Sequence, residues 1–155
     1  MIITVFSDLH GDSDKHMEEA FETSDYVIFL GDGLQRILGF EYEHPGKFLY
    51  VRGNCDLWDS TPTKRIIDLD GVRILATHGH EQHVKTGVLW LLREAKEEGI
   101  DIVLFGHTHR AIVEKVDDIL FVNPGSASRQ YGGKASAAKI TIENGRYFAE
   151  IINFD

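Results

Sequence analysis

Residues 2–10 read Ile-Ile-Thr-Val-Phe-Ser-Asp-Leu-His. An unbroken apolar and β-branched run, Ile2–Phe6, leads straight to Asp8 and His10. Such a run suits a strand buried on both faces. The same arrangement recurs along the chain. Tyr26–Leu30 (YVIFL) leads to Asp32, Lys47–Val51 (KFLYV) to Asn54, Val72–Ala76 to His78, and Ile102–Phe105 to His107 and His109. In open α/β sheets, ligands bind beyond the carboxyl ends of the strands. If these strands lie side by side, the ligand-type side chains gather on one edge, where chance would scatter them over both ends. Gly31, Gly53, Gly79 and Gly106 each sit beside one of these residues, as expected where the chain turns sharply and backbone approaches a bound group.

Working outward, helix periodicity appears twice. Met17, Ala20 and Phe21 mark a helix over Asp14–Thr23, and Val88, Leu91, Leu92 and Ala95 mark one over Val84–Glu98, stopped by Gly99. Ile66–Leu69 and Val72–Ala76 flank Asp70-Gly71, a two-residue hairpin signal. After Phe105 the texture becomes strand-rich. Ala111–Val116, Ile119–Val122, Ala137–Glu143 and Arg146–Ile152 read as strands joined by turns, among them Asn144-Gly145. One α/β domain over residues 1–155, with two packed sheets, fits this order.

The 155 residues are 43% hydrophobic and 26% charged, ordinary for one globular domain. A net charge of −9 argues against a nucleic-acid or anionic-membrane binder working through a broad basic surface. It leaves room for a small site where metal ions supply the positive charge. A single cysteine, Cys55, allows no internal disulfide. Met1 runs directly into the first strand with no signal-like segment, and no apolar run reaches membrane-helix length, so the expected location is the cytoplasm.

Two aspartates, four histidines and one asparagine are too many for one tetrahedral ion. They suit two ions, about 3.5–4 Å apart, with a bridging carboxylate. An oxygen and nitrogen set without thiolate favours Mn, Fe, Zn, Co or Ni. A single-zinc amidase or deaminase would need fewer ligands.

Asp8-Leu9-His10, Gly31-Asp32, Gly53-Asn54, His78-Gly79-His80 and Gly106-His107-Thr108-His109 occur in this order. The set resembles the calcineurin-like metallophosphoesterase superfamily from Met1 to about Ser126. The short length, Gly53-Asn54-Cys55-Asp56 and Asn123-Pro124-Gly125-Ser126 are similar to its small bacterial and archaeal phosphodiesterase branch, often labelled YfcE/MJ0936-like. The resemblance implies a four-layer α/β/β/α sandwich of two mixed β-sheets. It implies two divalent metal ions, manganese first among them. Asp8, His10, Asp32 and His109 would hold one, and Asp32, Asn54, His78 and His107 the other. A hydroxide shared by the ions would attack phosphorus in line. The implied partner is a small phosphate ester, with no nucleic acid and no membrane; a homo-oligomer is compatible. The alternative is a metal-binding scaffold without activity, resembling the small retromer subunit.

One departure bears on the chemistry. Many superfamily members carry histidine where this chain has Cys55, and that histidine is thought to protonate the leaving oxygen. A thiol of pKa about 8.5 is a poorer acid near neutral pH. His80 is the nearest substitute in sequence, as a substrate contact or as support for His78. Cys55 itself is expected either beside the metals or as a small buried residue. Asn54 completes the candidate catalytic set. Asp12, Thr77 and Thr108 read as structural or loop-tuning residues, Arg36 as a surface salt-bridge former, and His16, His44 and His83 as surface residues. Asn123–Ser126 reads as a turn closing the site. Trp58, Trp90 and Phe40 could form an apolar substrate wall or a dimer contact, though helical periodicity favours packing for Trp90.

Overall fold

The computed structural model describes residues 1–10, 15–57, 59–128 and 134–154. Asp12, Trp58 and the expected helix start at Asp14 lie outside these residues. The first sheet has the order β10-β9-β1-β2-β3, with β1 Ile2–Phe6, β2 Tyr26–Phe29, β3 Phe48–Tyr50, β9 Ser136–Glu143 and β10 Arg146–Asn153. The second has the order β4-β5-β6-β8-β7, with β4 Lys64–Leu69, β5 Val72–Thr77, β6 Ile102–Leu104, β7 Ile112–Val116 and β8 Ile119–Asn123. Both are mixed. β1, β2 and β3 run parallel, as do β5, β6 and β8, and β9, β10, β4 and β7 pair antiparallel to their neighbours.

Alternation along the strands builds the layers. Ile3, Val5, Ile28 and Leu30 of the first sheet meet Ile74, Ala76, Ile102 and Leu104 of the second in one buried core. Phe6, Val27 and Phe29 point the other way, onto Met17, Ala20 and Phe21 of helix α1 (Lys15–Thr23). Leu75, Val103 and Phe105 pack on Leu91 and Ala95 of helix α3 (Leu89–Glu98). The central strands are therefore covered on both faces, which is why their sequences are continuous apolar runs. The expected α/β/β/α order of layers is present.

Three hairpins close on paired left-handed residues: Asp70-Gly71, Asp117-Asp118 and Asn144-Gly145. This is the backbone of a type I′ turn, which matches strand twist. The second helix starts later than its periodicity predicts. Val84–Thr86 is a 3-10 turn, and Gly87 at φ 126° breaks the path before Leu89. A short helix, α2 (Phe40–Glu43), was not expected from the sequence. Phe40 is buried against Phe21 and Phe48, so it forms neither a substrate wall nor a dimer contact. Trp90 is 57% exposed on α3. His16 and His44 are half-buried and stack on Phe154 and Phe21; His83 is exposed. Arg36 is exposed and makes no ion pair among the described residues. No helix there is long and apolar enough to cross a membrane.

The ligand strands do not form one row, as side-by-side placement would require. β1, β2 and β3 belong to one sheet, β5 and β6 to the other. Face-to-face packing brings the two carboxyl-end edges together instead. Loop-to-loop bonds then hold them. The Asp56 carboxylate accepts the backbone N–H groups of Asp32 (2.8 Å), Gly33 (3.0 Å), Leu34 (3.1 Å) and Gly53 (2.8 Å). It welds the loop after β2 to the loop after β3. Asp56→Ala leaves four donors without their acceptor and should destabilise the fold by roughly 3 kcal/mol or more. Asp68→Ala, which loses an exposed pair with Arg73, should cost under about 0.5 kcal/mol. Urea unfolding reads both. The same measurement should give roughly 2–5 kcal/mol for Ile74→Ala, which opens a cavity between the sheets.

Candidate metal centre

The seven expected ligands lie on this shared edge. Asp8, His10 and His109 each offer an atom within 4.8 Å of the others, as do Asp32, His78 and His107. The two groups adjoin, because His78 Nε2 lies 3.3 Å from Asp32 Oδ2 and 3.8 Å from Asp8 Oδ1. Asn54 is exposed beside Asp32, between Gly53 and Cys55. The Cys55 N–H donates to Asp32 Oδ1 at 2.8 Å.

Local backbone explains how strand ends become ligand loops. Asp8, Asp32, His107 and His109 all have left-handed φ, between 56° and 68°. That conformation turns the chain sharply at the end of a strand, and Asp and His tolerate it better than most residues. It still costs roughly 1–2 kcal/mol per residue. Two glycines permit close approach. A Cβ on Gly53 would fall 2.2 Å from Asp32 Oδ1, and one on Gly106 would fall 2.1 Å from Ser7 Oγ.

Each buried acid has its own donors. Asp8 is fully buried; its Oδ2 accepts Ser7 Oγ–H at 2.6 Å and the His107 N–H at 3.1 Å. Its Oδ1 lies 3.1 Å from His109 Nε2. Burial would raise the Asp32 carboxyl, but the hydrogen bond and charge of His78, with the Cys55 N–H, outweigh it and lower it to about 2. The His78 ring is fully buried, and its Nδ1–H donates to the Leu30 carbonyl at 2.8 Å. A carbonyl only accepts, so the proton is fixed on Nδ1 and Nε2 faces the carboxylates. Burial works against charge on His78, yet Asp32 and Asp8 raise its pKa. A proton or a cation at Nε2 answers the same negative field. Burial first, then the charges of His78 and Lys85, lowers His107 to about 4, so it is a neutral imidazole at neutral pH.

His80 does not support His78; the Leu30 carbonyl does. The His80 ring lies 5.4 Å from His78, centroid to centroid, and its buried Nδ1 has no hydrogen-bond partner among the described residues. Cys55 is exposed and not a buried filler. Burial and the neighbouring carboxylates Asp32, Asp56 and Asp8 push its thiol up, making it a weaker acid still. Thr77 Oγ1 bonds the Thr63 carbonyl and Gln82. Thr108 Oγ1 accepts from Asn123 Nδ2 at 2.9 Å and from the Arg110 N–H.

Sequence reasoning missed several supporting residues. Ser126 Oγ donates to the Asp8 carbonyl, and Ser128 Oγ accepts the His10 N–H. With Asn123 Nδ2 donating to the Gly106 carbonyl and Thr108 Oγ1, the Asn123–Ser126 segment clamps two loops that carry candidate ligands. Asp56 had a signal, two residues past Asn54, and Ser126 lies in the segment read as a turn closing the site; Ser128 had none, because its partner lies over 100 positions away. Carboxylate oxygens and imidazole nitrogens converging without a thiolate fit divalent first-row ions.

Known proteins resemble this chain to different degrees. Residues 1–145 match the model of the calcineurin-like phosphoesterase superfamily domain. The phosphodiesterase YfcE of Escherichia coli (strain K12) is 28% identical over 158 residues, covering 84% of this chain and 82% of that protein. A crystal structure of a predicted phosphoesterase from Streptococcus pneumoniae TIGR4 superposes with a TM-score of 0.84 at 29% identity, over 98% of this chain and 88% of that one. Wild-type Vps29 from Entamoeba histolytica, crystallised with zinc, shares the fold at a TM-score of 0.74 and 20% identity, over 100% of both chains. By the family match across nearly its whole length, the chain belongs to the calcineurin-like phosphoesterase superfamily.

Proposed function

We propose that the protein is a phosphodiesterase working with two divalent ions, manganese foremost. The observation that carries this reading is the pair of adjoining ligand groups, Asp8–His10–His109 and Asp32–His78–His107, meeting around two buried carboxylates. In this reading Asp8, His10, Asp32 and His109 hold one ion. Asp32, Asn54, His78 and His107 hold the other, and Asp32 is shared. The relation to the phosphodiesterase YfcE supports a diester substrate.

Bound there, two divalent ions supply positive charge for a phosphate and lower the pKa of water, making hydroxide available near neutral pH. The chain's own residues do the rest. Asp8 and Asp32 contribute two negative charges against four, so the site is net positive inside a protein of net charge −9. The Leu30 carbonyl holds the His78 ring with Nε2 turned inward. The Ser7 hydroxyl and the His107 N–H fix the Asp8 carboxylate in one orientation. His80 flanks the same edge, with its ring 5.4 Å from that of His78 and 6.2 Å from that of His107, centroid to centroid. No protein nucleophile is required. Cys55 occupies the position that many superfamily members give to histidine, and its exposed thiol makes it a secondary contributor at most.

The second reading is a scaffold, favoured by the fold shared with Vps29. Because that protein was crystallised with zinc, metal binding alone does not separate the readings; turnover does. Bis-p-nitrophenyl phosphate should be hydrolysed with Mn²⁺, and a chelator should stop it. Metal analysis should give two ions per chain. Asp32→Asn should lower kcat/KM by at least roughly 100-fold, a loss of two interactions in one. Cys55→Ala should lose far less. Near-wild-type turnover by Asp32→Asn would end the two-ion proposal, and metal binding without any metal-dependent release would favour the scaffold.

A further inference from the structure

Two grooves are lined in part by loops that carry candidate ligands, and their chemistry differs. One, of about 400 Å³, runs past Glu81, Gln82 and Trp90; three of its lining residues are glutamates, beside Arg93 and a Lys64 already paired with Glu94. Carboxylates repel a phosphate ester. The other, of about 660 Å³, has no carboxylate in its lining. It borders the loop that carries two candidate ligands, since Thr108, which sits between His107 and His109 in the chain, forms part of its wall. Buried Val84 and Phe105 and the more exposed Val88 and Ile112 give it an apolar surface. Lys85 and Arg110 are its two cations. Both are exposed, and neither forms an ion pair among the described residues. Arg110 is tied to the same loop by its N–H bond to Thr108 Oγ1. Gly87 also lines this groove, and nothing lies within 4 Å of where its Cβ would be.

Building on the phosphodiesterase reading, we propose that this groove takes the organic limb of the ester and selects a limb that carries a second phosphate. The apolar wall packs against the body of the group, and Lys85 and Arg110 bind the distal phosphate. In a molecule of net charge −9, two cations in a groove free of carboxylates form a local anion site. The preferred class is a small diester with a nucleoside-like limb ending in phosphate, as in the 5′-phosphorylated dinucleotide pApA. ApA has the same diester without the terminal phosphate.

Two measurements test this. With Mn²⁺, kcat/KM for pApA should exceed that for ApA by roughly tenfold, and K85A/R110A should bring the ratio close to one. Independently of turnover, AMP added to the metal-free chain should shift the methyl NMR signals of Val84, Val88 and Ile112. Adenosine should do so at least about fivefold more weakly, and K85A/R110A should lose the AMP response. Equal use of pApA and ApA, or AMP shifts that persist in the double variant, would overturn the groove assignment and leave the phosphodiesterase reading intact. Absent turnover of every ester, with AMP still seated on the groove, would instead remove the hydrolytic reading and keep the binding site.

Discussion

The structure turns on the burial of two carboxylates, Asp8 and Asp32, within reach of the same imidazole nitrogen. Charges taken out of water are costly unless paired and hydrogen-bonded. Every nearby feature answers that cost. Ser7 and the His107 N–H serve Asp8, the Cys55 N–H serves Asp32, and His78 faces both. Asp56 satisfies the donors of the loops that carry Asp32 and Gly53. Four ligand residues also sit in left-handed backbone, an unfavourable conformation that a weakly held loop would relax. What keeps it in place is the double-sided packing of β1, β2, β5 and β6, whose ends the loops extend.

That division explains what could be read from the chain alone. The strands were legible because burial on both faces leaves continuous apolar runs. The candidate ligands could be picked out because each follows its strand closely. Asp70-Gly71 and Asn144-Gly145 announce their turns by residue type, whereas Asp117-Asp118 makes the same turn without glycine. Other features depend on contacts distant in sequence, to which local periodicity is blind. The distribution of ligand strands over two sheets is one. The Leu30 carbonyl behind His78 is another, at a separation of 48 residues. Phe40 shows the converse limit: an isolated aromatic in a glycine-flanked stretch gives no sign of facing Phe21 and Phe48. The late start of α3 follows from Gly87, whose backbone overrides the apolar spacing around it.

A fold of this kind can outlast its chemistry. The inter-sheet core contains none of the ligand residues, so loss of one ligand would disturb the edge and leave the layers standing. The architecture shared with Vps29 is therefore compatible with either activity or scaffolding, and the decision falls to the edge itself. Here the edge has six donor side chains in two metal-type groups and a fixed His78 tautomer. Buried carboxylates held in unfavourable backbone suit a site for cations, and turnover decides whether such a site serves catalysis. Retaining them at that cost makes sense when cations are to be gripped in fixed positions. On the proposed reading, those cations would also draw an anionic ester to the edge of a chain this acidic, and Lys85 and Arg110 would bear on which ester is held.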